Sequence, residues 1–233
     1  MKVTHWGDDL IQINNRWFPC NVYLVRENDG FTLIDTGLPA SAKAFIKIAQ
    51  KAGGEIRRIA LTHSHGDHVG SLAALHTLLP DAEISVSERE SAFLKGDMRL
   101  LADEPQTPLR GGFSPVDITP NRVLNEGERV GSLQVVTSAG HTPGHIAFYD
   151  IRHGHLIAGD AFSTQAGISV AGTRRLLFPF PAMGTWDRPT SLDSAEKLVR
   201  LNPTLLATGH GRVLENPVNV MQEAIEVTRQ KLG

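Results

Sequence analysis

Residues 63–68 read His-Ser-His-Gly-Asp-His, so four side chains with metal-binding chemistry occupy six consecutive positions. The segment before them, Ile56 to Thr62, is short, branched and mostly apolar, which predicts a buried strand that delivers the cluster at its carboxyl end. Extended backbone sends residues i and i+2 to one side, so His63 and His65 can close on one cation. Gly66 offers a sharp change of direction after them, and Asp67 and His68 can then turn toward a second cation. A solvated polar turn is the ordinary reading of a lone histidine. Three histidines and an aspartate crowded together point instead to a divalent cation site.

A cluster of this kind needs ligands from elsewhere, and three positions stand in the right context. His141 follows the strand-like run Leu133 to Thr137 and opens His141-Thr-Pro-Gly-His145. Asp160 closes the short apolar run His155 to Gly159, and His210 follows Thr204 to Gly209 in the same way. Four predicted strands thus each place a candidate ligand at a carboxyl end, where the polar groups of a layered fold converge without entering its core.

With the H-x-H-x-D-H run at 63 to 68, the histidines at 141 and 210, and the aspartate at 160, the chain resembles the metallo-β-lactamase superfamily of hydrolases over nearly its whole length. Asp35, in Leu33-Ile-Asp-Thr-Gly37, matches an acidic residue that the family carries early, close to its metals. The resemblance implies that His63, His65 and His141 hold one metal, that Asp67, His68 and His210 hold another, and that Asp160 bridges them. Imidazole and carboxylate donors suit zinc, the first choice here, as well as iron or manganese. Two such cations can share a water and lower its pKa toward neutrality. The expected chemistry is attack of that hydroxide on a carbonyl carbon, with Asp160 between the metals and Asp67 orienting the nucleophile.

Length and charge are compatible with such an enzyme. At 233 residues and 41% hydrophobic content the chain can bury a substantial core, and it reads as one domain spanning 1–233. A net charge of −2 gives no footprint for nucleic acid or an anionic membrane, which leaves a small-molecule substrate as the expected partner and a monomer or homodimer as the expected state. The first residues lack a signal-like apolar segment and no run approaches a membrane span, so a cytoplasmic location is the default. Cys20, the single cysteine, reads as small buried filler.

Patterning along the chain predicts an amino-terminal meander of strands at 9–14, 21–27 and 31–35 with a turn at Asn28-Asp-Gly30, then a helix from Ser41 to Ala52. The ligand strand leads into a helix over 71–79, a strand at 82–86 and a helix at 88–94. Residues 96–122, rich in Gly and Pro, read as a long surface excursion. The second half offers strands at 129–137, 145–151 and 155–159, a helix at 190–200, a strand at 204–207 and a helix at 217–231. Strands followed by helices in each half suit two packed mixed sheets with helices outside, and the resemblance implies that αββα sandwich directly.

Other histidines are weighed against this set. His153 and His155 flank a glycine between two strands, where a hairpin turn is the natural reading, and His5 and His76 have no ligand-like neighbours. His145 reads either as an outer support for the site or as a strand histidine bonded to backbone, and Asp35 as a turn cap or as the acceptor that fixes a histidine tautomer, the family pattern favouring the second. Phe162, Phe178, Phe180 and Trp186, mixed with Arg174 and Arg175, predict an apolar pocket wall with a cationic rim, against the alternative of a core plug or dimer contact. That pocket would suit acyl or carboxylate-bearing esters, thioesters or lactones. A glyoxalase II-like thioesterase or a weak β-lactamase is the alternative, and a mononuclear iron enzyme of the sulfur dioxygenase type is the reading from another class. Only 23 residues follow His210, too few for a glutathione-binding helical domain, and Ser163 stands where well-known homoserine lactonases carry a tyrosine donor.

Overall fold

The computed structural model describes residues 1–15 and 18–232. The amino-terminal half builds a seven-stranded sheet in simple sequence order: β1 (Lys2–Trp6), β2 (Leu10–Asn14), β3 (Asn21–Glu27), β4 (Gly30–Ile34), β5 (Ile56–Ala60), β6 (Glu83–Ser87) and β7 (Arg122–Leu124). Its first four strands are an antiparallel meander, and β3 joins β4 through a two-residue turn at Asn28-Asp29, with Glu27 opposite Gly30. From β4 to β7 the pairing is parallel, as helical crossovers require. Those crossovers carry α1 (Ala42–Lys51), α2 (Gly66–Val69), α3 (Leu72–Leu78) and α4 (Glu88–Leu94).

The second half pairs β8 (Arg129–Val130), β9 (Leu133–Thr137), β10 (Ile146–Asp150), β11 (His155–Ile157), β14 (Leu205–Ala207) and β15 (Leu214–Glu215) in the order β15-β14-β11-β10-β9-β8. A small ribbon of β12 (Phe162–Ser163) and β13 (Ser169–Val170) stands apart, followed by α5 (Phe180–Met183), α6 (Arg188–Val199) and α7 (Val218–Gln230).

Side-chain alternation along the strands explains the layering. On β2, Ile11 and Ile13 face the core shared with Phe45, Leu72 and Leu75 of the first helices, whereas Leu10 faces the other sheet. On β10, Ile146 and Phe148 enter the sheet-to-sheet core with Leu133, Ile157 and Leu205, while Ala147 joins Leu192, Leu198 and Met221 under α6 and α7. Three apolar layers therefore separate helices, sheet, sheet and helices, the predicted αββα sandwich. Most element bounds agree with the sequence expectation to within two residues. β1, β15 and the β12–β13 ribbon escaped it because each is short and only weakly alternating.

What matters for function is strand direction. β9, β11 and β14 all run the same way, because β10 is antiparallel to both β9 and β11 and β14 is parallel to β11. Their carboxyl ends lie along one edge, where they meet the end of β5 from the other sheet. The change of direction expected at Gly66 is the step from extended backbone at His65 into α2, which Gly66 opens. A Cβ there would lie 2.6 Å from Ser114 Oγ, so the glycine is needed for space.

Candidate metal centre

Seven side chains converge at this edge. The ligand atoms of His63, His65 and His141 lie within 4.8 Å of one another, as do those of His63, His68 and Asp160, and those of Asp67, His68 and His210. Asp160 sits among them: its Oδ2 is 3.1 Å from His210 Nε2 and 3.4 Å from His141 Nε2, and its Oδ1 is 3.5 Å from His68 Nε2. Asp67 Oδ2 lies 3.4 Å from His210 Nε2. Six of the seven are nearly inaccessible, and Asp67 keeps 24% of its side chain exposed.

Each of the five histidines has its other ring nitrogen occupied from behind. His65 Nε2–H donates to the Arg110 carbonyl at 3.0 Å and His210 Nδ1–H to the Pro19 carbonyl at 2.7 Å. His68 Nδ1–H donates to Asp35 Oδ2 at 2.8 Å. Thr62 Oγ1 gives its proton to Asp35 Oδ2 and so accepts from His63 Nδ1–H at 3.0 Å, and Thr185 Oγ1 gives its proton to Pro181 O and accepts from His141 Nδ1–H at 3.1 Å. On His63, His65 and His141 these contacts leave the inward nitrogen bare, and on His68 and His210 they leave Nε2 as the inward atom. His63 Nε2, His68 Nε2 and Asp160 Oδ1 consequently have no hydrogen-bond partner although buried. His65 Nδ1 and His141 Nε2 face each other at 3.0 Å with a lone pair on each. Buried acceptors facing acceptors are unfavourable unless a cation or proton lies between them, so the donor set and its orphaned atoms fit divalent metals.

Electrostatics divide the cluster. Burial, reinforced by neighbouring histidines, pushes His63 well below the usual imidazole range. Burial likewise depresses His141, and it takes His65 down to about 4. Burial also works against a proton on His68 and His210, but nearby carboxylates outweigh it, chiefly Asp35 and Asp160 for His68 and Asp160 for His210. His68 rises to about 10 and His210 moves up as well. Asp160 is held well below the carboxylate range because His210 and His68 overcome its burial.

Asp35 adopts φ 61°, a left-handed conformation that aspartate tolerates better than most residues. Its carboxylate accepts from Thr62 N–H, Thr62 Oγ1–H and His68 Nδ1–H, all at 2.8 Å, so it stands behind the His68 ring rather than facing the cavity. His145 also has no nitrogen left for a metal: Nε2 accepts from Asp160 N–H at 3.1 Å, and Nδ1–H donates to Ser138 Oγ at 2.8 Å. It supports the backbone of Asp160 from behind, and burial lowers its pKa to about 3. His153 lies in an exposed turn against Asp9, and His5 and His76 are exposed.

A cavity of about 530 Å³ opens over the cluster, lined by Phe18, Leu38, Phe180, Pro181, Met183 and the glycines 111, 112 and 184, with His65, Asp67, His141, Asp160 and His210 among its other walls. The expected pocket residues are corrected here. Phe180 lines the cavity, but Phe162 is fully buried in the core beneath α6 and α7. Phe178 packs behind the wall against Phe18 and His210. Trp186 is buried and donates from Nε1 to the Thr107 carbonyl at 2.9 Å, pinning two loops together. Neither arginine rims the cavity: Arg174 is exposed, and Arg175 turns to the Ile168 carbonyl.

The excursion at 96–122 proves to be part of the site. Beyond Arg110 O on His65, Gly112 O accepts from Gly66 N–H at 2.8 Å. Gly111 has φ 90°, and a Cβ on it would stand 2.2 Å from His65 Nε2. The Gly-Gly pair at 111–112 was the sequence signal for a close backbone approach. Glu90, also unanticipated, is buried between the two ligand-bearing turns; its place in the polar Ser87-Glu-Arg-Glu-Ser91 run gave no hint of that.

Comparison with known proteins places this geometry in context. The family described as the metallo-β-lactamase superfamily matches residues 15–210. The chain belongs to that superfamily. A Bacillus subtilis (strain 168) protein, YobT, described as uncharacterized, is 45% identical over 214 residues, covering 91% of this chain and 92% of that one. The probable metallo-hydrolase YflN of the same organism is 32% identical over 221 residues, covering 86% of this chain and 81% of its own. A hydroxyacylglutathione hydrolase of Xanthomonas euvesicatoria is 31% identical over 184 residues, 76% of this chain but only 56% of that enzyme. Among solved structures, TTHA1623 in a di-iron-bound form superposes with a TM-score of 0.67 at 29% identity, over 89% of this chain and 96% of its own.

Proposed function

We propose that this superfamily member is a binuclear metal-dependent hydrolase that cleaves ester, lactone or thioester bonds. The observation that carries the reading is the convergence of ligand atoms from seven residues beneath an open cavity, three of them (His63 Nε2, His68 Nε2 and Asp160 Oδ1) buried without a hydrogen-bond partner. His63, His65 and His141 would hold one cation, Asp67, His68 and His210 the other, and Asp160 would stand between them. When bound, such a pair supplies Lewis acidity and a water acidic enough to lose its proton near neutral pH.

The chain's own groups then do the following. Asp67, the most accessible of the seven, borders the cavity, where its carboxylate orients the attacking water and receives hydrogen bonds from it. Phe18, Leu38, Phe180 and Met183 cover an acyl group and keep bulk water from the reacting carbonyl. Among the described residues no Lys or Arg lines the cavity, and the wall that Phe18, Leu38, Phe180 and Met183 form supports an apolar acyl portion. The same reading takes residues 1–233 as one catalytic domain, since both sheets contribute ligands.

Zinc is the first choice of metal, and iron or manganese suits the same donors. The complete Asp67, His68 and His210 triad supports a binuclear centre over a mononuclear iron dioxygenase. The test is metal analysis of the purified protein followed by a hydrolysis screen over esters, lactones, thioesters and phosphoesters with apolar and anionic acyl groups. Two metals per chain and turnover of apolar carbonyl substrates are expected. Phosphoester-only turnover, or activity undiminished after full metal removal, would overturn the proposal.

A further inference from the structure

Glu90, in the first turn of α4, is a carboxylate with 0% exposure and no role in the chemistry above. Its four partners all lie in the two turns that carry the imidazole triad. Oε2 accepts from Ser64 N–H at 2.8 Å and Ser64 Oγ–H at 2.5 Å, and Ser64 stands between His63 and His65. Oε1 accepts from Thr142 Oγ1–H at 2.5 Å and Gly144 N–H at 3.1 Å, and Thr142 directly follows His141. Ser87, which caps α4 by accepting from Glu90 N–H, also donates from Oγ to the Gly144 carbonyl at 2.6 Å, so the helix end and the His141 turn are joined twice. A Cβ on Gly144 would come within 2.9 Å of Glu90 Oε1, which leaves the turn no room for a side chain beside the carboxylate.

A buried carboxylate is costly unless several donors meet it, and here two amides and two hydroxyls do so without any cation. The arrangement compensates a second unfavourable contact. His65 Nδ1 and His141 Nε2 are held 3.0 Å apart with lone pairs opposed, and in a metal-free chain the two turns bearing them would relax apart unless something behind them resisted. Among the described residues no carboxylate other than the shared Asp160 lies against the inward nitrogens of this side, whereas Asp67 faces those of the other and Asp35 bonds His68 directly but His63 only through Thr62.

We propose that Glu90 is a positioning residue for the imidazole half of the metal centre. It ties the end of β5 to the turn after β9, so that His63, His65 and His141 are set for a cation before one arrives. This rests on the binuclear reading above, and the test separates the two. Metal-depleted protein is titrated with Zn2+ against a chromophoric chelator, first in the parent chain and then with Glu90→Gln, which keeps the shape but removes the charge and one acceptor. Thr142→Val, which deletes a single donor, serves as the milder variant should Glu90→Gln fold poorly.

Two Zn2+ equivalents are expected for the parent, and Glu90→Gln should weaken one of them by about 10–100-fold, as loss of an outer-shell partner usually does. In a His210→Ala background, Glu90→Gln should weaken the remaining equivalent. In a His141→Ala background it should not. Thr142→Val should act in the same direction and less strongly. A parent that binds no Zn2+ would sink the metal-centre reading itself. A parent that binds two, with Glu90→Gln and Thr142→Val leaving both affinities unchanged or weakening both equally, would overturn the Glu90 inference alone.

Discussion

The two halves of the candidate metal centre use opposite means to present their nitrogens. On the His63, His65 and His141 side, neutral oxygens back the rings: Thr62 Oγ1, the Arg110 carbonyl and Thr185 Oγ1. Burial keeps these imidazoles deprotonated, so they are ready for a cation without first releasing a proton. On the Asp67, His68 and His210 side, carboxylates crowd the rings and hold protons on them, so a metal must displace those protons. The first half is therefore preorganised by desolvation and the second by charge. Asp160 belongs to both, which couples them.

The largest expected effect comes from removing what the halves share. Asp160→Ala should drop hydrolysis to background and lower bound metal from two toward none per chain, measured by elemental analysis beside the activity assay; full activity with both metals retained would sink its bridging role. His141→Ala and His210→Ala should each lose turnover while retaining about one metal, which would sharpen the division into halves. Loss of both metals from either variant would show that the halves do not load separately.

Asp35→Asn probes the charged half most directly. It withdraws the anionic acceptor from His68, so one Zn2+ affinity should fall by about 10–100-fold, while the other, reached from Asp35 only through Thr62, falls less. Competitive chelator titration reads this directly, and equal weakening of both would blur the comparison. A smaller effect is expected at the cavity wall. Phe180→Ala should raise KM several-fold for apolar acyl substrates with kcat little changed, because the half-exposed ring contributes about 1 kcal/mol of burial. Unchanged steady-state kinetics across acyl chain lengths would remove it from the substrate's path.

The smallest effect concerns acid. His65 and His145 titrate near 4 and 3 in the metal-free fold, against about 6.5 in the unfolded chain. Between those values the unfolded state binds more protons, so these groups make stability rise with pH, and it is lost as pH falls from 6.5 toward 3. His68 and His210 act in the opposite sense, contributing stability below pH 6.5 that is lost as pH rises through their elevated values. Metal-free His145→Gln should therefore show a shallower decline in stability across pH 6.5 to 4, by at most about 1.4 kcal/mol per pH unit. Denaturant unfolding at several pH values measures it, and parallel slopes would contradict the assignment.

Much of this was legible in the residues. The strand-end context of His63, Asp160 and His210 placed the ligand candidates, since a short apolar run closed by a polar residue reports both burial and direction. Composition could not show where a loop lies once folded. Residues 96–122 read as a surface excursion, yet Arg110 and Gly111 press against His65 through backbone atoms that no side-chain pattern encodes. Phe162 and Trp186 misled for the converse reason: an aromatic residue in a loop after a ligand looks the same whether it lines a cavity or plugs the core. Glu90 was invisible because its four partners come from turns 26 and 52 to 54 residues away.

Anomalous diffraction from crystals of the native protein, collected at the absorption edge of whichever metal elemental analysis finds, tests the central claim most directly. The account predicts two peaks, one among His63, His65 and His141 and one among Asp67, His68 and His210, with Asp160 between them. A single peak, or density bound elsewhere with these seven side chains turned away from a common point, would contradict it.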